Sequence, residues 1–163
     1  MTAIRAASAD DVGALAAVHA EAVALAYAGI FDAGLPPPTA DQLVGRWALL
    51  IATPGAWIGV AEQHGVAIGM VGARPLPDAG SPVGTGEIVG LHVGPAWWGR
   101  GVGRTLFDTA VDAGGRLGLA PLRLWALQAN LRARHLYERR GWRPDGATKT
   151  IAPHVIELRY SLA

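Results

Sequence analysis

Trp98-Gly99-Arg100-Gly101-Val102-Gly103-Arg104 is the stretch on which the fold turns. It follows an apolar run, Glu87-Ile88-Val89-Gly90-Leu91-His92-Val93, that reads as a strand. It precedes Leu106, Ala110, Ala113 and Leu117, which recur at helical spacing. A glycine-rich turn between a strand and a helix lets successive backbone N–H groups converge on one point, and the helix N-terminus adds partial positive charge. Such a turn suits a pyrophosphate, with Arg100 and Arg104 as added charge. It serves equally well as a tight connection whose glycines answer only to the backbone. A P-loop would end in Gly-Lys-Ser/Thr, and a dinucleotide fold would carry its glycines on the first strand with an acid about 20 residues on. A turn after the fourth strand that ends Gly103-Arg104-Thr105-Leu106 fits neither.

Outward from the turn, the chain alternates period and punctuation. Ala3 to Ala6 reads as an edge strand, and Ser8-Ala9-Asp10-Asp11 as a helix start with Ser8 as cap. Val12, Leu15, Val18/His19, Ala22 and Leu25/Ala26 continue that helix until Gly34-Leu35-Pro36-Pro37-Pro38 stops it. Thr39 and Asp41 open a second helix through Leu43, Trp47 and Leu50, which Thr53-Pro54-Gly55 ends. Ala56 to Ala61 and Val66 to Ala73 form a hairpin joined by Glu62-Gln63-His64-Gly65, and a Gly/Pro loop from Pro75 to Gly86 leads to the fourth strand. Beyond the turn come a helix ending near Gly118, a strand from Leu122 to Leu127 and a helix from Asn130 to Arg140 that Gly141 ends. Two strands close the chain, around Thr148 and over Val155 to Tyr160. The order β-α-α-β-β-β-α-β-α-β-β, without repeat or linker, predicts one α/β (α+β) domain over residues 1–163.

Composition narrows the classes. The 163 residues carry 14 Lys+Arg against 13 Asp+Glu, and 51% are hydrophobic, so disorder is not expected. Ala supplies 31 residues of that apolar share, and the longest uncharged stretch, Trp47 to Ala61, is broken by Thr53-Pro54-Gly55, so no membrane span is expected. The start, MTAIRAASADD, lacks the apolar run of a secretory signal. Without Cys there is neither a disulfide framework nor a thiolate nucleophile. Its three Ser include no G-x-S-x-G elbow, and its five His have no metal-ligand spacing, so no metal is expected. Of the basic residues 13 are Arg, and nine of these fall between Arg100 and Arg143 against only Asp108, Asp112 and Glu138. The remainder holds five basic and ten acidic residues, so a neutral total conceals a basic half.

A second block supports the first. Leu124-Trp125-Ala126-Leu127 leads to Asn130-x-x-Ala133-x-x-x-Tyr137-Glu138-x-x-Gly141-Trp142. The two blocks, in this order and spacing, resemble the GNAT superfamily of acyl-CoA-dependent N-acetyltransferases. The likeness covers nearly the whole chain in element order and is strongest from Glu87 to Asp145. The family's loop is Gln/Arg-x-x-Gly-x-Gly/Ala, and Trp98 departs from its first position, which gives mainly a backbone N–H to the pyrophosphate.

The resemblance implies a GNAT fold, a central mixed, mostly antiparallel sheet of about seven strands flanked by about four helices. It implies acetyl-CoA as co-substrate and direct attack by an amine in a ternary complex. Residues expected to hold acetyl-CoA are Leu91, His92, Val93, Trp98, Gly99, Arg100, Gly101, Val102, Gly103, Arg104, Asn130 and Tyr137. Tyr137, seven residues after Asn130, matches the family's general acid beside the thioester sulfur; an amphipathic Tyr packed beneath its helix is the alternative. Asn130 would cap that helix or bond the pantetheine arm. Glu87, eleven residues before Trp98, stands where members with a glutamate base carry it; the alternative is a solvated carboxylate or a charge partner for the acceptor. At Leu91 to Val93 the family's strand bulges, which frees backbone groups for the pantetheine amides and one N–H for the thioester oxygen.

The acceptor side would draw on the first two helices and their connection, where Tyr27, Phe31 and Trp47 serve as core or as pocket. No acidic cluster there points to a polycationic acceptor. The reading is a cytoplasmic acetyltransferase for a small-molecule or peptide amine, with a homodimer as the family's frequent state. The alternative is a non-catalytic acyl-CoA-binding sensor on the same fold. Nucleic-acid binding through Arg132, Arg134, Arg139, Arg140 and Arg143 lacks aromatic interleaving and any reader motif, so neither nucleic acid nor membrane is an expected partner.

Overall fold

Seven strands form one sheet in the order β1-β2-β3-β4-β5-β7-β6 in a computed structural model that describes residues 2–32, 34–76 and 80–162. The strands are β1 (Ala3–Ala6), β2 (Trp57–Gln63), β3 (Val66–Pro75), β4 (Gly86–Val93), β5 (Leu122–Leu127), β6 (Trp142–Ala152) and β7 (Val155–Leu162). Four helices pack on it: α1 (Val12–Ala26), α2 (Ala40–Ala52), α3 (Val102–Arg116) and α4 (Leu131–Glu138). All neighbouring strands run antiparallel except β4 and β5. The observed order of elements is the expected one, and the fold is the mixed α/β arrangement that the sequence implied. Among the described residues, no helix is long and apolar enough to cross a membrane.

The inner strands β2, β3 and β4 are apolar on both faces because both faces are covered, whereas the edge strands β1 and β6 are largely exposed. Ile58 and Val60 of β2 join a cluster with Leu15 of α1 and Leu43, Trp47 and Leu50 of α2. Ala61, the next residue, belongs to the opposite cluster, with Leu106, Phe107 and Ala110 of α3 and Tyr137 of α4. That alternation is the period of a pleated strand, set against helical periods of three and four in α2 and α3. A capping box starts α2: Thr39 Oγ1 accepts the Gln42 N–H at 3.4 Å, and Gln42 Oε1 accepts the Thr39 N–H at 2.9 Å.

Boundaries shift where local chemistry outweighs pattern. The hairpin turn is only His64-Gly65, with φ of 51° and 77°, so β2 extends to Gln63, while β3 starts at Val66 as expected and runs on to Pro75. The helix expected over Asn130 to Arg140 is α4, two residues shorter at its end, and Asn130 lies outside it as the cap. Leu117 is the cap of α3 and 45% exposed, not the last residue of its buried face. β6 begins at once after Gly141, where Pro144 and Gly146 hide a strand from a pattern reading. Of the expected Pro75 to Gly86 loop, residues 77–79 lie outside the described residues.

Two irregularities in the middle of the sheet make room for a site. Pairing of β3 with β4 passes from Gly72–Val89 to Met70–His92, so β4 carries one residue more than β3. The bulge lies at Gly90, whose φ is 62° and where an added Cβ would stand 2.6 Å from Trp47. Glycine is required there both by the backbone conformation and by the indole. On its other side β4 pairs with β5 only at Gly86–Leu122 and Glu87–Arg123. Past those residues the two strands part, and the gap is walled by the end of β4 and by Trp125 to Leu127.

Candidate active site

Two cavities meet where β4 and β5 part. The first, of about 290 Å³, is built on the glycine turn. A 3-10 turn over Pro95–Trp97 carries the chain from β4 to Trp98, and Gly99 and Gly101 then adopt φ of 74° and 85°. Both conformations lie in the left-handed region that L side chains avoid, so the backbone can bend back and start α3 at Val102. The N–H groups of Val102, Gly103 and Arg104 in the first turn of α3 have no intrahelical carbonyl, and they rim the cavity with the positive end of the helix dipole. Every residue expected to hold acetyl-CoA lines this cavity except Arg100. The Arg100 guanidinium instead lies 5.2 Å from the centre of the Trp97 ring.

Trp98 differs from expectation in an instructive way. Its backbone N–H donates to the Pro95 carbonyl at 3.2 Å and so closes the 3-10 turn, which removes it from the donors facing a phosphate. Its indole N–H donates to the Val93 carbonyl at 2.7 Å and ties the turn to the end of β4. The Arg132 guanidinium lies over the ring, 3.8 Å from its centre. Arg132 lines the cavity although the sequence reading did not place it there. Of the nine arginines between Arg100 and Arg143, Arg104 and Arg132 alone do so. Others serve the scaffold: Arg134 donates to the Tyr160 hydroxyl at 2.9 Å, and Arg143 donates to the Glu138 carbonyl at 2.7 Å.

The second cavity, of about 500 Å³, lies on the other side of Tyr137 and contains Glu87. It shares Tyr27, Leu91, His92, Asn130, Ala133 and Tyr137 with the first. Glu87 is 8% exposed, and its Oε2 accepts from Arg74 Nε at 3.0 Å and from Arg74 Nη2 at 2.6 Å. Its Oε1 takes no part in that pair. Tyr137 is 7% exposed, in the last turn of α4, with its ring centre 5.1 Å from that of Phe107. Burial first, and the neighbouring Tyr27 and Tyr160 next, push its hydroxyl above the usual tyrosine value, so it stays protonated at neutral pH. Asn130 Oδ1 accepts the Ala133 N–H at 3.2 Å; the cap role is realised while the residue still faces both cavities.

Beside His92, polar side chains that the sequence reading did not assign, His19, Arg46, Lys149 and Glu157, complete this cavity. His19 and His92 stack with ring centres 3.8 Å apart, and Trp47 Nε1 donates to His19 Nδ1 at 3.2 Å. Burial lowers His19 to about 4, with the Arg46 charge adding to the effect. Burial likewise holds His92 well below the ordinary histidine value, with His19 and Arg46 adding to it. Lys149 of β6 pairs with Glu157 of β7 at 2.8 Å and lies 4.4 Å from the Trp125 ring centre. Arg74–Glu87 and Lys149–Glu157 are direct cross-strand partners, so strand register was the signal that would have found them. Of the large side chains in the first helices, Tyr27 lines the cavities, whereas Trp47 is fully buried core.

Known proteins share this architecture. Over 98% of both chains the structure superposes on PaiA N-acetyltransferase from Thermoplasma acidophilum, solved with coenzyme A, at a TM-score of 0.75 and 16% identity. An N-acetyltransferase from Staphylococcus aureus Mu50 gives a TM-score of 0.77 at 18% identity, over 99% of this chain and 98% of that one. In sequence, a mycothiol acetyltransferase from Propionibacterium freudenreichii is 31% identical over 104 residues, 64% of this chain and 33% of that protein. A second, from Beutenbergia cavernae, is 44% identical over 69 residues, 42% of this chain and 22% of that protein. The chain therefore spans about a third, or less, of the length of the curated relatives it matches. A model of the whole family matches residues 21–142, from the middle of α1 through the glycine turn to the start of β6, and the chain belongs to the acetyltransferase (GNAT) family.

Proposed function

We propose that the protein transfers an acetyl group from acetyl-CoA to a primary amine of a small molecule or peptide by direct attack in a ternary complex. The observation that carries this reading is the place of Tyr137, on the wall common to a cavity rimmed by helix N–H groups and a cavity containing Glu87. The first cavity suits a CoA arm: glycines at φ of 74° and 85° allow close backbone approach, Arg104 and Arg132 add charge, and Leu91, Ala133 and Leu136 supply apolar wall. Bound acetyl-CoA supplies the thioester, whose carbonyl the amine attacks with departure of the thiolate.

The chain's own groups then manage protons and charge. Glu87 Oε1 accepts the proton that the acceptor's ammonium must lose to become the attacking amine, directly or through one water, while Arg74 holds Oε2 and fixes the carboxylate. Backbone N–H groups at the β4 bulge stabilise the developing oxyanion. The Tyr137 hydroxyl donates to the leaving sulfur. Its raised value makes it a weak acid, so its main contribution is a hydrogen bond to the thiolate in a water-poor setting, with proton transfer completed late. A cytoplasmic setting and a homodimer belong to the same proposal, the latter checked by gel filtration.

Calorimetry with acetyl-CoA, followed by a panel of amines with free CoA read by a thiol dye, tests the reading. Binding with thiol release on at least one amine is the expected result. Binding without release across the panel would favour an acyl-CoA sensor, and no binding would overturn both. Glu87→Gln should cut the rate roughly tenfold or more and flatten its rise with pH. An unchanged rate and pH profile would remove the base assignment.

A further inference from the structure

The charges around the second cavity do not balance. Three cations, Arg46, Arg74 and Lys149, and two carboxylates, Glu87 and Glu157, line it. Arg74 is spent on Glu87 at 2.6 Å, and Lys149 on Glu157 at 2.8 Å. Arg46 has no ion pair among the described residues. Its position explains its aim. Leu43, Trp47 and Leu50 are the buried stripe of α2, and Arg46, one residue before Trp47, stands at the edge of that stripe beside the cavity. Its charge reaches His19, His92 and Tyr27, which come from α1, β4 and the end of α1; it adds to the lowering that burial causes in the two histidines and opposes the rise that burial causes in Tyr27. The two imidazoles are neutral, so they add donors to the cavity without adding charge. His19 keeps its proton on Nε2 because Nδ1 accepts from Trp47.

We propose that Arg46 is a specificity-determining residue that receives an oxyanion of the acceptor, which is therefore a primary amine also carrying one carboxylate. The inference rests on reading the second cavity as the acceptor side. One surplus cation matches one negative charge, and a planar guanidinium offers two parallel N–H bonds to a carboxylate. A phosphate, with close to two charges, would leave one uncompensated. The amine end then lies toward Glu87, whose Oε1 is not engaged by Arg74. A polycationic acceptor would meet Arg46 unfavourably.

The test compares wild type with Arg46→Gln and Arg46→Glu on three sets of amines: free L-amino acids, the matching amino acid amides, and O-phosphoethanolamine beside ethanolamine. Acetyl-CoA affinity is measured for each protein, so loss of that affinity in wild type identifies failure of the acetyltransferase reading itself. Wild type should prefer the free carboxylates over their amides by about tenfold or more in kcat/KM. Arg46→Gln should erase the preference through KM with little change in kcat, and Arg46→Glu should reverse it. Arg46 is exposed, so both variants are expected to fold, which a melting curve confirms. Preference for the amides, an unaltered preference in both variants, turnover of the phosphate compound above the carboxylates, or acetyl-CoA binding without turnover of any amine would each overturn the proposal.

Discussion

The two cavities that meet at Tyr137 are made of different material. The first is a backbone site: two glycines with positive φ, the open first turn of α3 and the bulged end of β4. Most of its residues fall in the single segment from Leu91 to Arg104, with others from α1 and its end and from α4 and its cap. The second is a side-chain site assembled from α1, α2, α4, β3, β4, β5, β6 and β7, and its polar groups are held by cross-strand ion pairs and an imidazole stack. A site made of backbone tolerates changes of side chain and binds whatever fits its N–H groups. One made of side chains can change its ligand without disturbing the fold. The division suits the proposed transfer, in which one cavity holds acetyl-CoA and the other the acceptor.

Tyr137 belongs to both regions and gives the largest test of their separation. Tyr137→Phe keeps the ring against Phe107 and Tyr160 and removes only the hydroxyl. It should lower kcat about 100-fold or more while leaving acetyl-CoA affinity within a few-fold of wild type. Weakened affinity at unchanged kcat would make the residue part of the packing of the first cavity.

The acceptor side should also be the more acid-sensitive. His19 sits at about 4 and His92 well below its ordinary value, both chiefly through burial. In the unfolded chain each titrates near 6.5. Between about pH 6.5 and pH 4 the unfolded state therefore binds protons that the folded state refuses, so stability is full above that window and declines as pH falls through it. For His19 alone the loss by pH 5 is about 2 kcal/mol. Urea midpoints at pH 7.5 and pH 5 check this, and equal midpoints would mean that the imidazoles are hydrated and not stacked in a dry wall.

The cofactor side should instead be sensitive to backbone strain. A Cβ at Gly101 meets no neighbour within 4 Å, so Gly101→Ala carries only the penalty of its φ of 85°. A left-handed L residue costs about 1–2 kcal/mol, and relaxation of the turn would spoil the N–H array. Acetyl-CoA affinity should fall about tenfold while the KM for the amine moves much less. An equal loss on both would show that the cavities are one mechanical unit.

The same contrast explains what could be read from the sequence. Residues 98–104 and 130–142 carry their signal in adjacent positions, because turn and cap chemistry is local. The element order and the glycine turn were legible for that reason, whereas Tyr137 was singled out through the family resemblance. Arg74 with Glu87 and Lys149 with Glu157 became partners only through strand register, and Arg132 reaches Trp98 from a different helix. Counting arginines from Arg100 to Arg143 overstated the cleft, because a count does not show that Arg134 is held by Tyr160 or Arg143 by a carbonyl. The bulge was legible as an expectation of the family, while its cause, Gly90 against Trp47, needed the packing of α2 on the sheet. Arg46 carried no sequence signal, since an isolated Arg on a helix is ordinarily a solvated one.

Asn130 gives the smallest effect and the finest division between scaffold and site. Its side chain caps α4 through the Ala133 N–H, and it also faces both cavities. Asn130→Ala should cost about 1 kcal/mol of stability, a drop of a few degrees in Tm, and should loosen the helix that carries Tyr137. Asn130→Ser restores a capping oxygen on a shorter side chain that cannot reach as far into either cavity. If the serine variant recovers both Tm and kcat, the residue acts only by positioning Tyr137. If Tm returns while the KM for acetyl-CoA stays raised, the amide also bonds the pantetheine arm, and the cap is where the backbone-built and side-chain-built halves of the site are joined.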